Sequence, residues 1–139
     1  MLISLEHTVT KEETDNSNRV KHFVYFAYLE CIRQEFLRMH SSSDESLLKT
    51  YGLGLIVTST SAIYRSPLHQ YDEITVASDL NIQGLRFKVN HEIHRHVSYR
   101  KTGLVFTAEE TYALAPIDGR KPVQVPTLLF KSALRRLKV

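Results

Sequence analysis

The feature that most constrains the fold is the run over residues 20–39, which is apolar on almost every side. At 100° per residue, His22, Leu29 and Arg33 fall within about 40° of one another on a helix. The apolar residues that flank this stripe are Tyr25, Phe26, Phe36 and Leu37. The opposite side of the helix is apolar as well, with Phe23, Val24, Ala27, Tyr28 and Cys31. A helix that is apolar all round should be buried. We therefore expect a sheet to wrap around it and Cys31 to lie in the core.

Most of the remaining chain has the pattern of β-strands. A first strand is expected over residues 2–10. Four more are expected where apolar and β-branched residues alternate or cluster, over residues 55–64, 74–82, 85–97 and 104–115. Gln83-Gly84 predicts a hairpin turn, and shorter helices are expected over residues 45–51 and 127–137. One strand, one long helix and four strands in meander order indicate an α+β fold, in one domain over residues 1–139.

Composition limits the class of protein. Hydrophobic residues make up 42% and charged residues 24%, which argues against disorder. No apolar run reaches the roughly 18 residues that a membrane span needs, and the N-terminus lacks the basic stretch of a signal peptide. A single cysteine excludes an internal disulfide and favours a reducing compartment, so a cytoplasmic location is expected. A net charge of +3 is too small to indicate nucleic acid binding.

Polar residues at fixed spacing lead into the long helix. They read Asp15-x6-His22-x2-Tyr25-x4-Glu30-x2-Arg33. This pattern resembles the helix signature of hotdog-fold thioesterases of the 4-hydroxybenzoyl-CoA thioesterase type, and similarity continues through residues 62–67 and 119–122. Residues 12–14, Glu-Glu-Thr, resemble the opening of acyl-carrier-protein thioesterases of enediyne polyketide pathways. The resemblance implies a hotdog fold, in which a curved antiparallel sheet wraps around one long central helix.

The same resemblance implies a function. It implies a hydrolase that splits an acyl thioester of coenzyme A or acyl carrier protein into acid and thiol, with no cofactor and no metal. It also implies a homodimer or homotetramer with active sites between subunits. Asn18 stands where the family has glycine, and asparagine tolerates the left-handed backbone that such a turn requires.

Roles for individual residues follow from the chemistry of thioester hydrolysis. Asp15 would be the nucleophile or the general base for water. Backbone N–H groups near His22 and Phe23, at the positive end of a helix, would stabilise the oxyanion. His22 would orient substrate or water, and Arg33 would polarise a carbonyl or anchor a carboxylate. Substrate-binding residues are expected at Tyr25, Phe23 and Tyr64.

Each of these residues also has a purely structural interpretation. Asp15 in a polar loop can be a solvated cap, and His22 can be a core histidine. Glu30 and Arg33 have the i, i+3 spacing of a structural ion pair.

Other functions and sites remain open. Two alternative functions are a hotdog hydratase or dehydratase acting on acyl thioesters, and a non-catalytic acyl-carrier-binding module that uses the basic C-terminal segment. The histidine cluster His91-x2-His94-x-His96 does not predict a metal site, because alternate residues of a strand face opposite sides.

Overall fold

The computed structural model describes residues 1–40, 42–84, 86–96 and 103–116. The expected terminal helix over residues 127–137 lies outside these ranges. The elements in chain order are β1 (Leu2–Thr8), a 3-10 turn (Lys11–Glu13), α1 (Val24–Met39), α2 (Asp44–Tyr51), β2 (Leu53–Tyr64), β3 (Glu73–Gln83), β4 (Arg86–Arg95) and β5 (Gly103–Pro116). Neither of the α-helices in the described ranges has the length and apolar character to cross a membrane.

The five described strands form one antiparallel sheet in the order β1-β3-β4-β5-β2. The β3–β4 hairpin closes as predicted, with Gln83 opposite Arg86 and Gly84 at φ 65. The meander prediction is wrong for β2, which pairs with β5 rather than with β3. The reason is that β1 already occupies the outer edge of β3, from Leu2 opposite Asp79 to Thr8 opposite Glu73. The α+β class and the long central helix are as predicted.

The core lies between α1 and one face of the sheet. Alternation along β4 places Phe87, Val89, His91 and Ile93 on the buried face. Phe36 of α1 meets Phe87, with ring centroids 5.7 Å apart. Each fully buried Leu, Ile or Phe side chain contributes about 1.5–3 kcal/mol relative to exposure, so this contact surface is what holds the helix on the sheet.

Burial of α1 is one-sided, which corrects the expectation of a helix buried all round. Leu29, Ile32 and Phe36 face the sheet, whereas Phe23 is 60% exposed and Cys31 is exposed. The prediction that Cys31 lies in the core is therefore wrong. The sheet covers one side of the helix, and the opposite side faces solvent with Ala27, Glu30, Cys31, Gln34 and Arg38.

The start of the helix also differs from the prediction. The α1 helix begins at Val24, four residues after the predicted start. Val20 N–H donates to the Leu68 carbonyl at 2.8 Å, and Lys21 N–H donates to the Glu13 carbonyl at 3.0 Å. These bonds to distant residues hold the segment before the helix in bridge pairing, and they override the local helical pattern.

A hydrogen-bonded group of polar residues is buried in the sheet beneath α1. We call Ser78, His91, Glu110 and Tyr112 the buried network. His91 Nδ1 lies 2.6 Å from Ser78 Oγ, and His91 Nε2 lies 2.9 Å from Glu110 Oε1. Tyr112 donates to the same carboxylate oxygen at 2.7 Å. Because an ionised carboxylate can only accept, His91 Nε2 carries the hydrogen, and the Ser78 hydroxyl can donate to Nδ1.

Candidate active site

Asp15 closes a short turn just before α1. Its Oδ1 accepts hydrogen bonds from the Ser17 N–H and hydroxyl, both at 2.8 Å, and from the Arg19 N–H at 3.2 Å. Asp15 N–H in turn donates to the Arg19 carbonyl at 2.8 Å. Asn18 has φ 63, which confirms the predicted left-handed position. The turn therefore forms with asparagine in place of glycine.

The same contacts determine the ionisation of Asp15. Hydrogen bonds from the Ser17 side chain, and from the Arg19 and Ser17 backbone, hold the pKa of Asp15 below its ordinary value. Oδ2 accepts no hydrogen bond from the described residues, and the side chain lines an opening together with Asn18 and Gln70. Asp15 is thus an ionised carboxylate with one oxygen fixed and the other available.

The start of α1 carries unsatisfied donors. Phe23 occupies the N-cap position and provides no side-chain capping bond. The N–H groups of His22 and Phe23 donate to no acceptor within the described part of the chain. Free N–H groups at a helix N-terminus carry partial positive charge and bind anionic oxygens. This end of the helix can therefore stabilise an oxyanion.

A cleft of about 270 Å³ opens beside the start of α1. We call it the Tyr64 cleft, and its lining residues are Arg19, Val20, His22, Tyr25, Tyr64, Arg65, Ser66 and Pro67. Tyr25 stacks on Phe106 with centroids 5.0 Å apart, and Tyr64 lies edge-on to Tyr25 at 5.1 Å. The Tyr64 hydroxyl donates to the His22 carbonyl at 2.9 Å. That bond ties the end of β2 to the residues that precede α1.

The structure brings together some of the predicted site residues. His22, Tyr25 and Tyr64 line one cleft. Phe23 lies next to it, edge-on to the His22 ring at 5.9 Å. Asp15 lines a different opening, which shares no described lining residue with the Tyr64 cleft.

Arg33 lies apart from these residues. It is nine residues beyond Val24, the first residue of α1, which is about 14 Å along the helix axis at about 1.5 Å per residue. Its terminal nitrogens bind Asp44 at 2.6 and 2.8 Å, and its Nε binds Glu30 at 3.0 Å. The hydrogen bonds that Arg33 donates to Asp44, and then those to Glu30, raise the pKa of Arg33. The structural ion pair with Glu30 is confirmed, and Asp44 adds a tie to α2 that the sequence did not indicate.

Two cleft residues were not anticipated from the sequence, namely Arg19 and Arg65. They are far apart in the chain, and no periodicity links them. An isolated β-bridge pairs Arg19 with His69, in the loop that follows β2. This pairing brings Arg19 to the same cleft as Arg65, which directly follows β2. No group of three or more metal-binding side chains converges among the described residues.

Comparisons with known proteins agree with this architecture. The family model of the thioesterase-like superfamily matches residues 9–134. The 1,4-dihydroxy-2-naphthoyl-CoA thioesterase from Synechocystis has a similar structure, with a TM-score of 0.85 and 18% identity over 100% of this chain and 99% of that chain. The 4-hydroxybenzoyl-CoA thioesterase from Pseudomonas sp. strain CBS-3 gives a TM-score of 0.80 and 18% identity, over 94% of this chain and 97% of that chain.

A third similar structure is the dynemicin thioesterase, which binds a polyene. It gives a TM-score of 0.80 and 25% identity over 98% of this chain and 96% of that chain. No curated protein matches the chain. The fold comparisons confirm the predicted hotdog architecture.

Proposed function

Because the chain belongs to the thioesterase-like superfamily and is a thioester hydrolase, we propose that it cleaves an acyl thioester of coenzyme A between Asp15 and the start of α1. One observation carries this proposal. An ionised carboxylate with a free oxygen is fixed in a closed turn that leads directly into a helix whose first N–H groups are uncapped. These are the two groups that thioester hydrolysis requires, a nucleophile or base and an oxyanion site.

The proposed reaction uses these groups in sequence. The thioester carbonyl oxygen accepts hydrogen bonds from the His22 and Phe23 N–H groups, and one such donor is typically worth about 3–4 kcal/mol in the barrier. Asp15 Oδ2 either attacks the carbonyl carbon or takes a proton from the attacking water. Direct attack expels the thiolate and leaves an acyl-aspartyl anhydride, which water hydrolyses to the free acid. With Asp15 as base, water adds directly, and its proton passes through the carboxylate to the leaving thiolate.

Other residues of the site have positioning roles in this proposal. Tyr64 holds the His22 carbonyl, and so fixes the peptide that precedes the Phe23 N–H. Tyr25 and Tyr64 bound the space for the acyl group, and the exposed His22 ring orients substrate or water. Arg33 stays a predicted catalytic residue. Its contacts with Glu30 and Asp44 support a structural role, because they occupy its donors.

We also propose that a second copy of the chain completes the site, in a homodimer or homotetramer. Phe23 and Tyr64 are 60% and 47% exposed at the cleft or next to it, and Ile63, which precedes Tyr64 in β2, is 56% exposed. Exposed apolar groups of this kind favour an interface between subunits. In a symmetric dimer the same groups of both copies would be buried. Sedimentation at micromolar concentration should show a dimer or tetramer. A folded and active monomer would contradict an active site shared between subunits.

The proposed carrier is coenzyme A, since two of the similar structures are named for coenzyme A thioesters. Acyl carrier protein is the second candidate carrier, through a contact with the basic residues near the C-terminus, which lie outside the described ranges. Neutralising Arg135 and Arg136 together tests it. A loss of kcat/KM for acyl carrier protein alone would support that contact, and an equal loss on both carriers would exclude it.

The test of the proposed function is thiol release. Aliphatic and aromatic acyl-coenzyme A thioesters and acyl carrier proteins are offered to the wild-type chain and to Asp15→Asn. We expect release from at least one class of thioester, and its loss in the variant. Hydration of an enoyl thioester without thiol release would indicate a hydratase, and carrier binding without either reaction would indicate a binding module.

A further inference from the structure

The Tyr64 cleft holds positive charge that the described part of the protein does not neutralise. Arg19 and Arg65 line it, and no carboxylate is among its described lining residues. Neither guanidinium makes a hydrogen bond or ion pair with a side chain or backbone group of the described residues. Asp15 attracts Arg19 electrostatically, but only across the turn. The cleft therefore favours an anionic occupant.

A third arginine near the cleft shows the contrast. Arg95 donates to the Pro67 carbonyl at 3.0 Å and to Ser66 Oγ at 3.4 Å, and it lies 3.6 Å from Asp72. Its charge and donors are used to hold the segment that follows β2. Arg65 is left without such partners although it lies next to that segment.

The backbone that carries the two cleft arginines is fixed. Arg65 and Ser66 N–H groups both donate to the Val105 carbonyl, at 2.8 and 3.2 Å. Arg19 N–H donates to Asp15, and Val20 N–H donates to Leu68. The backbone at both arginines is therefore already held in place. Binding an anion in the cleft needs to order only the two arginine side chains.

We infer that Arg65, together with Arg19, binds a carboxylate on the acyl group, and that the enzyme prefers acyl thioesters with a second, distal carboxylate. This inference rests on the proposed function. A planar guanidinium binds a carboxylate through two parallel hydrogen bonds, a geometry that lysine does not reproduce. Tyr25, Tyr64 and Pro67 give the cleft an apolar surface for the ring or methylene groups between the carboxylate and the thioester.

The position of the cleft assigns the anion to the acyl group rather than to the carrier. His22 lines the cleft and also supplies one of the N–H groups proposed to bind the carbonyl oxygen. Whatever fills the cleft is therefore close to the thioester carbon. The phosphates of coenzyme A are separated from that carbon by the whole pantetheine arm.

The experiment compares kcat/KM for matched acyl groups that differ in one carboxylate. Adipoyl- and hexanoyl-coenzyme A form one pair, and 4-carboxybenzoyl- and benzoyl-coenzyme A form another. We expect the wild-type enzyme to have the higher kcat/KM for the carboxylated member of a pair, judged in whichever of the two pairs it hydrolyses faster. Arg65→Gln should lower that preference about tenfold, the usual effect of losing a hydrogen-bonded charge partner. Arg65→Lys should lie between the two, and Arg19→Gln should act in the same direction.

The matched control is Arg86→Gln. Arg86 is an exposed arginine at the start of β4, away from the cleft, and its loss changes the net charge equally. It should leave the preference unchanged. The same acyl groups on N-acetylcysteamine, which has no phosphate, identify the anion that Arg65 binds. Persistence of the Arg65→Gln effect on that carrier supports the acyl carboxylate.

Three results would overturn the inference. An unchanged preference in Arg65→Gln and Arg65→Lys, with hydrolysis intact, contradicts it while the proposed function stands. An effect seen with coenzyme A but absent with N-acetylcysteamine means that the arginine binds a carrier phosphate. Failure of the wild-type chain to hydrolyse any of these thioesters removes the proposed function, and this inference with it.

Discussion

The Tyr64 cleft and the buried network are both polar, but they satisfy their polar groups in opposite ways. In the network, Glu110 receives hydrogen bonds from His91 and Tyr112, and Ser78 completes the chain. In the cleft, two arginines lack any such partner among the described residues. A buried polar group must be paired within the fold, because burial without a partner costs free energy. Unpaired charge can persist where water reaches it, and there it remains available to a ligand.

The pKa of Glu110 shows that its hydrogen bonds within the buried network outweigh the effect of burial. Burial raises the pKa of Glu110, but hydrogen bonds from His91, Tyr112 and Thr60 outweigh it and leave the pKa below its ordinary value. Burial raises the pKa of Tyr112, so its hydroxyl keeps its proton and donates it. The network therefore stabilises the fold, whereas the groups around the cleft are placed to act on substrate.

The largest expected effect separates activity from stability. Asp15→Asn should lower turnover by at least about a hundredfold, because asparagine can neither attack nor accept a proton effectively. It should unfold like wild type, since its amide oxygen can still accept from Ser17 and Arg19. Thiol release and denaturant unfolding on the same sample measure both. Near wild-type turnover would mean that Asp15 only closes the turn.

Glu110→Ala should show the reverse pattern. His91 and Tyr112 lose their acceptor in a buried position, and Thr60 loses its acceptor nearer the surface, so we expect the free energy of unfolding to fall by about 3 kcal/mol. Turnover per folded molecule should stay close to wild type. Urea denaturation and thiol release check this below the unfolding transition. A stable but inactive variant would place the network in the reaction and break the distinction between the two regions.

Acidification sharpens the same comparison. The folded pKa of Glu110 lies below the ordinary value of 4.5, so its contribution to stability is complete above pH 4.5. That contribution is lost as the pH falls through the folded pKa. Between wild type and Glu110→Gln, the difference in unfolding free energy should therefore shrink below pH 4.5. A constant difference down to pH 3 would show that folding does not lower the pKa of Glu110.

The smallest expected effect concerns Tyr64, which contacts both α1 and solvent. Tyr64→Phe removes one hydrogen bond to the His22 carbonyl and should cost about 1 kcal/mol or less in stability. The ring contacts with Tyr25 and Phe106 remain, so KM should change little and kcat should fall a few-fold if the peptide before Phe23 shifts. Steady-state kinetics measure both. A rise in KM with kcat unchanged would instead make Tyr64 a binding group.

Several local features could be predicted from the sequence because neighbouring residues determine them. The left-handed turn at Asn18 and the Gly84 hairpin follow from backbone sterics of single residues. The Glu30–Arg33 pair follows from helical spacing. Strand positions follow from alternation, and the placement of Asp15 before the long helix follows from the order of residues alone.

Only the tertiary structure decided how distant segments meet. It paired β2 with β5, started α1 at Val24 through preceding backbone bonds to the Leu68 and Glu13 carbonyls, and left Cys31 exposed. The free energies that decide these outcomes come from contacts between residues far apart in the chain, and no local pattern encodes which partner a strand edge or a helix face will find. The same holds for the cleft. The chain order gives Asp15 and the helix that follows it, but the meeting of Arg19 with Arg65 exists only once the loop after β2 has packed beside the start of α1.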